Sequence, residues 1–181
     1  MRIAVTGGIA EGKSTVLGYI RDLGYPVASS DEIAREVFQE ASVQAELAAL
    51  LGCAPPVAPA ALRERLAAEP WLRRRVNYIM HPRILRGIQS SPAAWIEVPL
   101  LLETCLQVVF DRVWVATCGP EMQLERLVLR LGEEELAKQL LATQLPSAVR
   151  LVFADEIVRT NAEEDAVKAC IRLAVRREIG K

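Results

Sequence analysis

The chain is poor in histidine, sparing with cysteine and nearly without net charge, and each shortage removes a class of function. A single histidine among 181 residues, with Cys53, Cys105, Cys118 and Cys170 far apart, offers no C-x-x-C pair and no spacing for a structural zinc site. Lysine and arginine number 22 against 23 aspartates and glutamates, a formal charge of −1. Such a balance gives no global attraction to polyanions, so neither nucleic acid nor a membrane surface is expected as a partner. No run approaches the roughly 18 apolar residues of a membrane span. Met1-Arg2 leads straight into Ile3-Ala4-Val5 and then glycines, without the apolar region of a secretory signal. The expectation is a cytoplasmic protein whose scattered thiols are reduced and mostly buried. What the chain does have is ordinary: 51% apolar and 25% charged residues, which excludes disordered, collagen-like and coiled-coil classes. Its length suits one domain carrying a lid or a small insertion.

Short apolar runs alternate with longer segments of helical spacing, the pattern of a parallel sheet covered by helices. Five runs read as strands: Arg2 to Thr6, Pro26 to Ala28, Ala94 to Val98, Arg112 to Thr117 and Glu156 to Val158. Between the second and third lies a helical stretch from Glu32 to about Ser90, with breaks expected at Gly52 to Pro59 and at Pro82. That is longer than a simple crossover and predicts a helical subdomain over about 32–90. Residues 120–144 carry two helical patterns meeting at Gly132, a candidate lid over about 120–150, and a last amphipathic helix starts near Glu163.

The most informative segment is Thr6-Gly7-Gly8-Ile9-Ala10-Glu11-Gly12-Lys13-Ser14-Thr15, which contains G-x-x-x-x-G-K-[ST] between an apolar strand and a helical pattern. Glycines let the backbone wrap an anion, and the helix N-terminus adds positive potential. Lys13 reaches the terminal phosphates, and Ser14 is placed to hold Mg²⁺. Gly7, Gly8, Ala10, Glu11, Gly12, Lys13, Ser14 and Thr15 are therefore the candidate nucleotide-binding residues. Glu11 is unusual, because its carboxylate either opposes the substrate's charge or turns to solvent.

Two acidic residues stand at ends of expected strands, where α/β proteins bind ligands. Asp31, after Val27-Ala28-Ser29-Ser30, either accepts a hydroxyl proton or caps the following helix. Glu97, in Trp95-Ile96-Glu97-Val98-Pro99, is a candidate to bind Mg²⁺ through water. Residues 62–88 concentrate seven arginines against Glu64 and Glu69, a surface to attract a diphosphate or simply a solvated helix face. Arg126 and Arg130, four apart on one helix face, either clamp phosphates or pair with Glu121, Glu125 or the Glu133-Glu134-Glu135 run.

The order of these features resembles the dephospho-coenzyme A kinase family. The likeness runs through T-G-G-I-x-x-G-K-S-T at 6–15, Leu23-Gly24, D-x-I-A-R at Asp31 to Arg35, His81-Pro82 and P-L-L-x-E at Pro99 to Glu103. It continues through Gln123 to Leu127, Arg130, Gln144 and Ala154-Asp155. The resemblance implies a P-loop fold with a five-stranded parallel sheet, ATP with Mg²⁺ as donor, and the ribose 3′-hydroxyl of dephospho-coenzyme A as acceptor. It implies Asp31 and Lys13 as catalytic groups, Arg130 on the nucleotide, and Arg35, His81 and Glu103 on the acceptor. Four departures stand out. Ser29-Ser30-Asp31 replaces the usual Asp-Ala-Asp, and Ala10-Glu11 the usual Gly-Ser. Arg159-Thr160-Asn161 stands where the family has a D-N stretch, and no G-x-L-D-R is recognisable around Pro55 to Arg63. The alternatives are another small-metabolite or nucleotide kinase, or a degenerate nucleotide-binding regulator; no N-K-x-D guanine motif is present. Lys13→Ala is expected to abolish turnover while leaving the fold intact, since it removes the charge at the transferring phosphate from a surface loop; steady-state rates beside a circular dichroism spectrum test this.

Overall fold

Strands that are apolar on both faces persist only where helices cover both faces, and the computed structural model, which describes residues 1–180, is built on this constraint. In chain order the elements are β1 (Ile3–Thr6), α1 (Lys13–Asp22), β2 (Val27–Ser29), α2 (Ser30–Gln39), α3 (Ala41–Leu51), α4 (Pro59–Ala68), α5 (Leu72–Ser90), β3 (Trp95–Glu97), β4 (Arg112–Thr117), α6 (Pro120–Leu131), α7 (Glu134–Ala142), α8 (Ser147–Leu151), β5 (Glu156–Arg159) and α9 (Glu164–Ile179). A 3₁₀ turn, Leu106–Val109, precedes β4. The chain divides into two units, Met1–Ser29 with Pro92 onward, and Ser30–Ser91.

The first unit holds a wholly parallel sheet of order β2-β3-β1-β4-β5. Alternation sends Ile3, Val5, Trp95, Trp114, Ala116 and Val158 to one face, where they meet Val16, Leu17 and Ile20 of α1 and Val167, Ile171, Ala174 and Val175 of α9. Trp95 and Trp114 pack edge to face, their centroids 6.3 Å apart, within the range such pairs favour. The order reverses direction at β1, which lies between β3 and β4. In open α/β sheets ligands bind beyond the carboxyl ends of the strands at such a reversal, and the loop after β1 starts from that end.

The second unit is entirely helical, with Val37, Val43, Leu47, Leu51, Val57, Leu62, Leu72 and Val76 as its core. The Gly-Pro connector between α3 and α4 is secured by buried Gln44, whose amide donates to the Phe38 carbonyl at 2.6 Å and accepts from the Val57 N–H at 2.6 Å.

Several expectations need correction. α5 does not break at Pro82 but continues to Ser90, so His81 sits inside a helix rather than closing one. The ring costs one intrahelical bond, and Arg83 adds a donor one residue along, its Nη1 2.7 Å from the Ile79 carbonyl. α2 begins at Ser30, which puts Asp31 in the first turn, favourable to the helix dipole, instead of at the cap. The thiols are free, but only Cys118 is buried; Cys53, Cys105 and Cys170 are exposed. α8 was not foreseen, being too short to show a period. Among the described residues no helix is long and apolar enough to cross a membrane.

Gly87 lets α5 approach α2 closely, since a Cβ there would lie 2.6 Å from Ile33 Cγ2. Gly87→Ala gains about 1 kcal/mol of helix propensity but overpacks a stiff β-branched neighbour, at a cost of about 1–3 kcal/mol. A net loss of stability is expected in urea unfolding, against the usual sign of Gly→Ala in a helix.

Candidate active site

The loop between β1 and α1 is shaped by residues that must avoid side chains. Gly7, at φ 152°, would place a Cβ 2.5 Å from the Ala116 carbonyl. Gly12, at φ 89°, is the left-handed residue from which α1 starts. A helix that opens here puts its positive, N-terminal end at the loop, an arrangement that favours an anion. Ala10 also takes a left-handed conformation, at φ 62°, a position where glycine would carry no Cβ penalty. Lys13 lies along the loop, its Nζ 3.0 Å from the Gly7 carbonyl and 2.8 Å from that of Gly8. Ser14 and Thr15 follow on the exposed side of the helix.

Glu11 follows neither expectation. Its side chain is completely buried, so the carboxylate neither faces solvent nor stands open to a substrate. One oxygen accepts the Gly8 N–H. The other accepts the Thr117 hydroxyl at 3.0 Å and the Ser147 hydroxyl at 2.7 Å. Three donors meet the demand that a buried carboxylate makes, and they come from the loop itself, the end of β4 and the start of α8. Neighbouring bonds follow the same route. Ile9 N–H donates to Gln144 Oε1 at 2.9 Å, and Gln123 Nε2 donates to the Ile9 carbonyl at 2.9 Å. Thr160 Oγ1 donates to the Glu11 carbonyl at 2.8 Å.

Arg126 is committed to this scaffold, with Nη2 2.7 Å from the Thr160 carbonyl and Nη1 3.2 Å from Thr160 Oγ1. None of the acidic partners expected for it is used. Arg130, one turn on, is exposed. Burial pushes the Cys118 thiol up, against the lowering effect of Arg126, which keeps it protonated and unsuited to act as a nucleophile.

Glu97 is half-buried at the end of β3, in register with Val5 of β1 and Ser29 of β2. It therefore stands at the same edge as the phosphate loop. Glu103 has a partner that sequence reasoning missed, fully buried Arg150. Arg150 Nη2 lies 2.5 Å from Glu103 Oε1, and Nη1 lies 3.3 Å from Oε2 and 3.5 Å from the Pro99 carbonyl. A lone arginine within the apolar run Val149 to Phe153 was the signal available. Gly7 to Thr15, Glu97, Glu103 and Arg130 all belong to the first unit, whereas Asp31, Arg35 and His81 belong to the second. Asp31 and Arg35 are one turn apart on α2 and both exposed; His81 on α5 is half-buried.

Beside the loop lies a cavity of about 740 Å³, walled by Leu141, Leu145, Pro146 and Leu151 and carrying polar groups of Gln144 and Asn161. It has the size and the mixture of apolar wall and few polar groups typical of a small-molecule site. Among the described residues no cluster of three or more His, Cys, Asp or Glu could cage a metal. An ion at this edge would be held mainly by ligand oxygens and water, the habit of Mg²⁺.

Residues 1–165 match the family described as Dephospho-CoA kinase. The Dephospho-CoA kinase of Vibrio cholerae is 36% identical over 185 residues, covering 94% of this chain and 92% of that protein. Among solved structures, TT1252 from Thermus thermophilus superposes with a TM-score of 0.81 at 21% identity, over 98% of this chain and 97% of that one. A Dephospho-CoA kinase from Campylobacter jejuni gives 0.63 at 21% identity, over 97% and 96%. These structural likenesses establish the fold, a P-loop sheet flanked by helices.

The Arg150–Glu103 pair is asymmetric, with the guanidinium sealed from water and the carboxylate 23% exposed. Removing the carboxylate strands a buried charge, which costs about 3–5 kcal/mol. Removing the guanidinium releases a carboxylate that water can still reach. Glu103→Ala is therefore expected to lower Tm more than Arg150→Met, a ranking that differential scanning calorimetry reads directly.

Proposed function

The chain belongs to the dephospho-coenzyme A kinase family, and from this premise we propose that it transfers the γ-phosphoryl group of ATP to the ribose 3′-hydroxyl of dephospho-coenzyme A, giving coenzyme A and ADP. The observation that carries the reading is the phosphate loop, with Gly12 opening α1 and Lys13 beside the loop carbonyls. Backbone N–H groups of Gly12 to Thr15 and the start of α1 bind the β- and γ-phosphates, and Lys13 offsets the charge that spreads over the transferring group. The apolar cavity beside Gln144 and Asn161 receives the base.

The residues present fit Mg²⁺. The Ser14 hydroxyl is exposed at the start of α1, and Glu97 adds a carboxylate at the same sheet edge. Both are hard oxygen donors of the kind that holds Mg²⁺ directly or through water. When bound, the ion neutralises charge on the phosphates.

Asp31 acts as the general base. It takes the proton of the acceptor hydroxyl as the new O–P bond forms, while the bond from the γ-phosphorus to the bridging oxygen breaks and ADP leaves. Arg35, on the same face of α2, and His81 bind the acceptor, with the arginines of α4 and α5 drawing in its diphosphate. Glu103 contacts the acceptor only through the oxygen surface that Arg150 leaves uncovered. Arg130, exposed on α6, reaches the nucleotide phosphates. The protein works in the cytoplasm.

Two measurements test this reading. ADP formation is expected with dephospho-coenzyme A and not with adenosine, nucleoside monophosphates or shikimate; preference for any of these overturns the acceptor. Asp31→Asn keeps side-chain size and is expected to lower kcat by about 10²- to 10⁴-fold with ATP affinity hardly changed. A kcat within about threefold of wild type removes Asp31 from catalysis.

A further inference from the structure

We propose that Glu11 is a positioning residue for nucleotide binding, its buried carboxylate holding α8 against the phosphate loop so that the cavity for the base is formed before ATP arrives. The proposal rests on the nucleotide reading above and concerns the first unit alone. Three observations lead to it. The carboxylate is completely buried and is met by donors from three separate segments, Gly8, Thr117 and Ser147. Ser147 is the first residue of α8, and Pro146, Ser147, Ala148 and Leu151 form one side of the cavity. Gln144, just before α8, is tied to the same loop through the Ile9 N–H. The wall of the cavity and the phosphate loop are thus joined by one buried acidic group.

A serine or glycine at position 11 has no reach to Ser147, so the link depends on the length of the glutamate. Charge is needed less than length. In Glu11→Gln the amide oxygen still accepts the Gly8 N–H, and the amide nitrogen donates to the Thr117 and Ser147 oxygens once those hydroxyls turn around, since a hydroxyl both donates and accepts. In Glu11→Ser the loop glycines, Lys13 and Ser14 are all retained, so transfer from bound ATP has its full machinery. The cost falls on assembling the cavity, which is paid on binding. A residue of this kind alters KM for ATP and leaves kcat in place, whereas a group that only stabilises the fold moves Tm without changing affinity.

The test measures ATP·Mg binding by calorimetry without acceptor, together with KM for ATP and kcat with dephospho-coenzyme A, in the full chain. Glu11→Ser is expected to raise Kd and KM for ATP by about tenfold, with kcat within about threefold of wild type, and Glu11→Gln to restore Kd to within about threefold. Ser147→Ala is expected to weaken ATP by about three- to tenfold in the wild-type background and to add nothing in Glu11→Ser, because the two changes remove the same link. ATP affinity within twofold of wild type in Glu11→Ser, or equal losses from Ser147→Ala in both backgrounds, overturns the proposal. If Glu11→Ser does not fold, Ser147→Ala in the wild-type chain decides, and unchanged ATP affinity there overturns it. A wild-type chain that binds no ATP overturns the nucleotide reading itself, whereas tight ATP binding indifferent to both substitutions overturns only the role of Glu11.

Discussion

A carboxylate without access to water has to be surrounded by donors, and Glu11 imposes that requirement in the middle of the phosphate loop. The loop cannot satisfy it alone, since it contributes only the Gly8 N–H. The rest is met by hydroxyls at the end of β4 and the start of α8. Because a half-satisfied buried charge is worse than none, Thr117 and Ser147 have little freedom to move independently. The loop, the end of β4 and the start of α8 therefore share one position.

Around this group the chain closes a circuit of hydrogen bonds. Thr160 bridges the Glu11 carbonyl to Arg126, which spends both terminal nitrogens on it. Gln123 and Gln144 hold the two polar groups of the Ile9 backbone. Arg150 then fastens the far end of α8 to Glu103 and the Pro99 carbonyl. A five-residue helix has almost no stability of its own, so α8 exists by virtue of these contacts. The arrangement suits a loop that must present its N–H groups to phosphate before the ligand arrives, because preorganised donors need no reorganisation during transfer.

Departures from the family pattern read differently once placed in the fold. Thr160, where the family has a different stretch, is a junction between the loop and α6. Ala10 keeps the left-handed turn that glycine would make more easily. Ser29 stands in β2 directly opposite Glu97, so the sheet edge retains a carboxylate beside the position where the first carboxylate of the usual Asp-Ala-Asp is missing. Membership of the dephospho-coenzyme A kinase family is thus combined with a phosphate loop braced by a group the family pattern does not supply.

The five strands, the loop after the first of them and the helical character of residues 32–90 were legible in the chain, because each rests on local rules: a period of two, glycines where a backbone needs positive φ, and a period of 3.6. The order β2-β3-β1-β4-β5 was not legible, since periodicity does not say which strands pair and the resemblance implied only a five-stranded parallel sheet. Pro82 misled because helix breaking is a local tendency that packing along α5 overrides. As a cap, Asp31 required a helix starting at Glu32, but α2 starts two residues earlier at Ser30, and a side chain's role there depends on which residue begins the turn. Glu11 shows most clearly what sequence leaves undecided. The chain determined that an acid sits within the phosphate loop; whether it faced ligand, solvent or interior depended on donors 106 and 136 residues away. Only tertiary structure could decide this, because the free energy of a carboxylate is set by the groups that surround it and not by its neighbours along the chain.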